Sequence, residues 1–123
     1  MNRLQRYCSH ATFYLLILIL AAAVAGCSGK PKPPVQVKIQ MKKYTIKPAE
    51  VHLKQGEVVE FEVTAIDVQH GFDVPDLNIS ESVQPGMPAK FAYKAERKGT
   101  FSIECGIICG PGHDDMRGKI IVE

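Results

Sequence analysis

From residue 35 onward, apolar and polar side chains alternate along the chain. Val35, Val37, Ile39 and Met41 are separated by polar residues, and Val51 and Leu53 precede a Gln55-Gly56 turn. Val59, Phe61 and Val63 share one face, with Glu60 and Glu62 on the other. Ala89, Phe91, Tyr93 and Ala95 alternate up to Lys98-Gly99, Phe101, Ile103 and Cys105 follow, and residues 120–122 close the chain. A period of two predicts half-buried β-strands, because successive side chains of a strand point to opposite faces. Pro75-Asp76 and Pro85-Gly86 interrupt the pattern, and no window carries a convincing helical period. Short strands separated by Gly and Pro turns predict an all-β Greek-key β-sandwich or barrel.

The same period places one cysteine. Phe101 and Ile103 form the inward side of their strand, so Cys105 points into the domain from the strand's last position. Beyond it, Gly106, Gly110, Pro111 and Gly112 allow the backbone to curl tightly. His70 is expected at the end of a separate strand, residues 61–68 with a short continuation. A sandwich brings it beside Cys105 if the two strands are neighbours.

The first residues read as a targeting segment. Arg3 and Arg6 precede an apolar run over residues 13–24, and Val24-Ala25-Gly26-Cys27 sets small residues before a cysteine. A retained transmembrane helix is the alternative, but it needs about 20 apolar residues. The tetrapeptide resembles a bacterial lipobox, which implies a lipoprotein signal peptide over 1–26 and lipidation of Cys27. Cys8 falls in the removed segment. Three prolines within residues 31–34 give 27–34 the character of a semi-rigid spacer after the anchor. Residues 35–123 remain as one domain, large enough for one core and too short for two.

Charge changes its meaning once the leader is set aside. The formal net charge is +2, but Arg3 and Arg6 account for it, and the remainder is formally neutral. Nucleic acid is therefore not an expected partner. Export also implies an oxidising compartment, where thiols are not kept reduced. With Cys27 acylated, Cys105 and Cys109 must form a disulfide or a metal site.

The chemistry concentrates in Cys105-Gly-Ile-Ile-Cys109-Gly-Pro-Gly-His113-Asp-Asp-Met116, with His70 upstream in Asp67-Val-Gln-His70-Gly-Phe. Two thiolates, two imidazoles and a thioether make a set that suits copper in both oxidation states. A mononuclear blue-copper site would need only His70, Cys109, His113 and Met116, leaving Cys105 a spare thiol. Zinc accepts Cys2His2 sets but has little use for a thioether, and its usual cysteine spacing is closer. Two cysteines separated by three residues can instead bridge two copper ions.

The Cys-x3-Cys-x3-His-x2-Met loop and the upstream Asp-Val-x-His resemble the binuclear CuA domain of cytochrome c oxidase subunit II. The resemblance runs from about Met41 to Glu123 and is strongest to the short-loop subunits of ba3-type oxidases. It implies a cupredoxin-like fold and two copper ions bridged by Cys105 and Cys109. His70 and His113 would each cap one copper, with Met116 and the Ile107 carbonyl as weak ligands. Asp67 and the glycine amides would support these ligands from outside. Two departures stand out. The family usually has Glu at the position of Ile107, where it helps bind magnesium, so no such ion is expected. It also usually has a tryptophan patch for cytochrome c, and this chain has no Trp; Tyr44, the nearest aromatic, is expected as a half-buried core or edge residue.

Other residues read plainly. His52 lies opposite Val51 and Leu53 and is expected in solvent. Met41 and Met87 are expected as core and turn filler, Asp114 and Asp115 as a solvated loop tip, and residues 94–98 as a charged edge. Nothing resembles a nucleophile with its base, a phosphate loop or paired catalytic carboxylates. The expected function is a lipid-anchored, envelope-facing one-electron carrier. It would run from a cytochrome c-like donor to a haem-copper oxidase subunit I or another acceptor. Copper delivery or storage, a mononuclear blue-copper carrier, and a disulfide-closed structural domain are the alternatives.

Overall fold

The structure is a computed structural model that describes residues 32–123, in which Pro33–Glu123 forms one compact unit. The leader over 1–26 and Cys27 lie outside the described residues. Among the described residues no helix is long and apolar enough to cross a membrane.

Nine strands make two sheets. They are β1 (Val35–Lys42), β2 (Thr45–Lys47), β3 (Glu50–Leu53), β4 (Val58–Ala65), β5 (His70–Val74), β6 (Ile79–Val83), β7 (Ala89–Lys94), β8 (Gly99–Cys105) and β9 (Arg117–Val122). One sheet runs β2-β1-β4-β7 and the other β3-β9-β8-β5-β6. β1 pairs with β4, and β3 with β9, in parallel; the remaining pairs are antiparallel. The only helical pieces among the described residues are two 3-10 turns, Pro75–Leu77 and His113–Asp115.

The alternating sequence sets the packing. Val59, Phe61, Val63 and Ala65 of β4 are buried, as are Phe101, Ile103 and Cys105 of β8. Phe61 and Phe91 from one sheet meet Phe72 from the other, with ring centroids 5.3–6.1 Å apart. Each such aromatic contact adds about 0.5–1.5 kcal/mol beyond area burial, so this trio helps join the two layers. His52 lies at the surface beside Glu50 and Glu123, Met41 is in the core and Met87 is exposed.

One boundary differs from the sequence expectation. β4 ends at Ala65, and His70 opens β5 instead of ending the preceding strand. The reason lies in Asp67. Its carboxylate accepts backbone N–H bonds from Lys43 (2.8 Å) and Val68 (2.8 Å), which turns the chain across the end of the sandwich. His70 thus crosses to the second sheet, where β5 lies directly beside β8 and Phe72 faces Cys105.

Candidate metal centre

Strand ends bring the site together. β8 ends at Cys105, β5 begins at His70 and β9 begins one residue after Met116, all at one end of the sandwich. β5 is buried on both faces over its first three residues, because the loop after β8 folds down over it. Gly71 makes that fold possible. A Cβ there would lie 2.9 Å from the backbone nitrogens of both Gly106 and Ile107. The Gly106 N–H donates to the Gly71 carbonyl at 3.2 Å, holding the loop at this close approach.

Within this enclosure His70, Cys105 and Cys109 are all buried, and their ligand atoms lie within 4.8 Å of one another. The two Sγ atoms are 3.8 Å apart as free thiols, far outside the roughly 2.05 Å of a disulfide. Cys105 Sγ is 3.7 Å from His70 Nδ1 and 3.1 Å from the Ile107 carbonyl oxygen. Cys109 Sγ is 4.0 Å from the sulfur of buried Met116. His113 lies in the 3-10 turn between Cys109 and Met116, outside this tight cluster of three. Its Nδ1 is buried without a hydrogen-bond partner.

That orphaned nitrogen tests whether a metal fits. A buried imidazole nitrogen with nothing to bond costs free energy unless some further group satisfies it. The surrounding donors are soft sulfur and imidazole nitrogen, the chemistry that selects copper over hard cations. The donor set fits a copper centre.

The protein fixes His70 from behind. Its Nε2 is 2.8 Å from Asp67 Oδ1, which leaves Nδ1 turned towards the sulfurs as the available donor. Burial pushes the Asp67 carboxyl up, but the His70 bond and the Lys43 and Val68 amides outweigh it, holding it well below the usual carboxylate range. Burial pushes the Cys109 thiol up, and its bond to and charge interaction with Cys105 add to the rise. Cys109 therefore favours its neutral thiol until a cation compensates its charge.

Two supports of the loop were not read from the sequence. Arg117 Nε donates to the Asp114 carbonyl at 3.1 Å, and its Nη1 reaches Glu104 Oε2 at 3.0 Å, tying the His113 turn to the end of β8. Tyr44 packs against the loop from the other side. The first was hinted at by opposite charges flanking Cys105 and Met116; the second has no local signal, because 65 residues separate Tyr44 from Cys109.

Comparison with known proteins agrees with this geometry. The cupredoxin-like domain family matches residues 12–122. Cytochrome c oxidase subunit 2 of Thermus thermophilus is 38% identical over 76 residues, covering 62% of this chain and 56% of that protein. Alternative cytochrome c oxidase subunit 2 of Bradyrhizobium diazoefficiens is 37% identical over 78 residues, covering 63% and 28%. The chain thus spans about half or less of these relatives' length. Among solved structures, the periplasmic domain of subunit II of cytochrome oxidase from Bradyrhizobium japonicum superposes with a TM-score of 0.67 at 22% identity, covering 76% of this chain and 86% of that one. A chain of a haem-copper terminal oxidase dimer gives 0.67 at 24% identity, covering 98% and 100%. The chain belongs to the cupredoxin-like domain family, and its sequence is similar to part of these cytochrome c oxidase subunit 2 proteins.

Proposed function

We propose that the protein binds two copper ions between Cys105 and Cys109 and relays single electrons to a haem-copper oxidase. The observation that carries this reading is the pair of buried sulfurs 3.8 Å apart with terminal donors around both. A mononuclear site would gather its donors about one sulfur. Here His70 Nδ1 and the Ile107 carbonyl adjoin Cys105, and Met116 adjoins Cys109, with His113 supplying an unpartnered nitrogen. Copper held there would accept one electron from a donor protein and give it to an acceptor.

The chain's own residues do the remaining work. Cys105 and Cys109 would lose their protons as they bind, and Asp67 keeps the Nε2 proton of His70 so that Nδ1 stays a donor. The loop and β5 exclude water from the sulfurs, which are at most 8% exposed by residue. A ligand frame held by the loop and β5 would keep rearrangement small when copper changes oxidation state, which would lower the barrier to transfer.

Partners and placement follow as part of the same proposal. Ile108, next to Cys109, is 85% exposed, and Met87 (64%) and Ile66 (50%) lie on connections at the same end of the sandwich. These apolar residues offer a docking face without tryptophan to a cytochrome c-like donor. The lipobox-like Val24-Ala25-Gly26-Cys27 supports a lipid anchor at Cys27, with residues 35–123 in the periplasm or on the outer face. The acceptor would be the catalytic subunit of an oxidase, where all oxygen chemistry would occur.

The test is to load the protein with copper and to measure metal per chain together with the electron paramagnetic resonance spectrum. Two coppers per chain with a delocalised mixed-valence signal are expected. One copper with a mononuclear spectrum would replace this reading with a blue-copper carrier, and ready loss to a modest chelator would favour copper delivery. Cys105→Ser is expected to abolish the mixed-valence signal.

A further inference from the structure

We propose that the turn between β1 and β2 is a positioning element for the metal site and that Tyr44 is its principal residue. This rests on the copper reading above. The turn contributes no ligand, yet it touches both segments that do. The Lys43 N–H donates to Asp67 Oδ2 at 2.8 Å, and the other oxygen of that carboxylate holds His70 Nε2 at 2.8 Å. One residue later, Tyr44 lies against the loop that carries Cys109 and His113.

The contact is unusually close, and two glycines permit it. A Cβ on Gly110 would lie 2.5 Å from Tyr44 Oη, and a Cβ on Gly112 would lie 2.6 Å from Cδ2 and 2.7 Å from Cγ of the same ring. Real Cβ atoms do not come within 3.0 Å of such neighbours. The ring therefore runs along Gly110-Pro111-Gly112 from its hydroxyl end to its base, spanning the segment between the two ligands. Gly110 also has a φ of +142°, where glycine is favoured for its backbone alone. Gly112 has no positive φ, so the approach of the ring is the feature that excludes a side chain there.

A tyrosine that merely filled the sandwich edge would not need two bare backbone positions beneath it. Tyr44 is half-buried and packs on the core, while residues 106–112 have no strand or helix of their own. The ring supplies a wall in place of secondary structure, setting the separation between Cys109 and His113. Lys43 sets the orientation of His70. A single turn of the chain thus fixes the two halves of the ligand set relative to each other.

The experiment compares wild type, Tyr44→Phe, Tyr44→Leu and Tyr44→Ala as full chains. In copper-free protein, hydrogen exchange at the Gly110, Gly112 and His113 amides is expected to be unchanged in Tyr44→Phe and at least tenfold faster in Tyr44→Ala. After copper loading, loss of copper to a chelator is expected to quicken about 10–100-fold in Tyr44→Ala, the scale seen when outer supports of metal ligands are removed. Its paramagnetic spectrum should change, and Tyr44→Phe should restore the wild-type spectrum. Tyr44→Leu, which keeps most of the buried volume, should fold and resemble Tyr44→Ala in its spectrum. Wild-type exchange rates and spectrum in Tyr44→Leu, alongside a lowered melting temperature, would show ordinary packing and overturn the proposal. Wild-type protein that binds no copper would instead overturn the copper reading, while the exchange comparison would still decide the role of Tyr44.

Discussion

Asp67 shows how much of the site depends on a residue that would not touch the metal. Its carboxylate gives one oxygen to His70 Nε2 and the other to the Lys43 amide, while the Val68 amide also binds it. Those bonds overcome the cost of burial and keep the group ionised. Asn in its place keeps the shape and one carbonyl acceptor but loses the charge, and its amide nitrogen cannot accept from a backbone N–H. Asp67→Asn is therefore expected to weaken copper binding about 10–100-fold, measured by competition with a chelator of known affinity. A wild-type affinity in that variant would mean that packing alone orients His70. The resemblance carried by Asp67-Val-Gln-His70 implied this support from the chain. Tyr44 was not readable in the same way. Its period-two neighbourhood marks it as half-buried, and only the folded chain shows which loop its ring meets.

At the level of elements, strand alternation carried the core and the inward direction of Cys105, whereas strand ends did not follow from it. Period two holds from Phe61 to Ala65 and then slips at Ile66-Asp67-Val68, where the backbone bonds to Asp67 stop β4 at Ala65 and start β5 at His70. The slip marks where alternation fails, but the polar side chain that makes the turn carries no apolar signal for its direction. The parallel pairing of β3 with β9 is equally silent in the chain, depending on contacts across 69 residues (Glu50 to Lys119). The join between β5 and the ligand loop yields a sharper prediction. Gly71→Ala would set a Cβ 2.9 Å from two backbone nitrogens, neither of which can swing aside as a side chain does. The loop must lift, at a cost of about 1–3 kcal/mol, and the 3.2 Å bond from Gly106 must lengthen. A lowered melting temperature together with a changed copper spectrum is expected. A melting change with an unaltered spectrum would show that the loop lifts without moving its ligands. Gly106→Ala should act from the other side of the loop, because its Cβ would collide with the Asp73 carboxylate.

At the scale of the whole molecule, the question is whether the fold needs its metal. The donor cluster sits at one end of the sandwich, and the two layers are joined by Phe61, Phe72 and Phe91, of which Phe72 lies beside Cys105, and by fully buried Ile39, Val59, Val63, Ile103 and Ile120. Small zinc domains have no comparable core and unfold without metal. This domain has one, built from residues that hold no metal. The copper-free protein is therefore expected to keep its β-sheet circular dichroism and to melt cooperatively, at a lower temperature than the loaded form. Copper at 100 times its dissociation constant would add about 2.7 kcal/mol, and the gap between the two melting temperatures should widen with free copper. Phe61→Ala supplies the converse case. Removing this ring of the trio should cost about 3–5 kcal/mol, and it should lower the melting temperature of the copper-free and loaded forms by similar amounts, leaving the copper spectrum nearly unchanged. If copper-free protein instead lacked sheet structure, or if Phe61→Ala erased the copper spectrum while the fold survived, core and site would be one cooperative unit. Phe61 and Phe91 lie in the sheet that contributes no ligand, which argues for two: a sandwich that stands by itself, and a ligand loop held onto its end by Gly71, Asp67 and Tyr44.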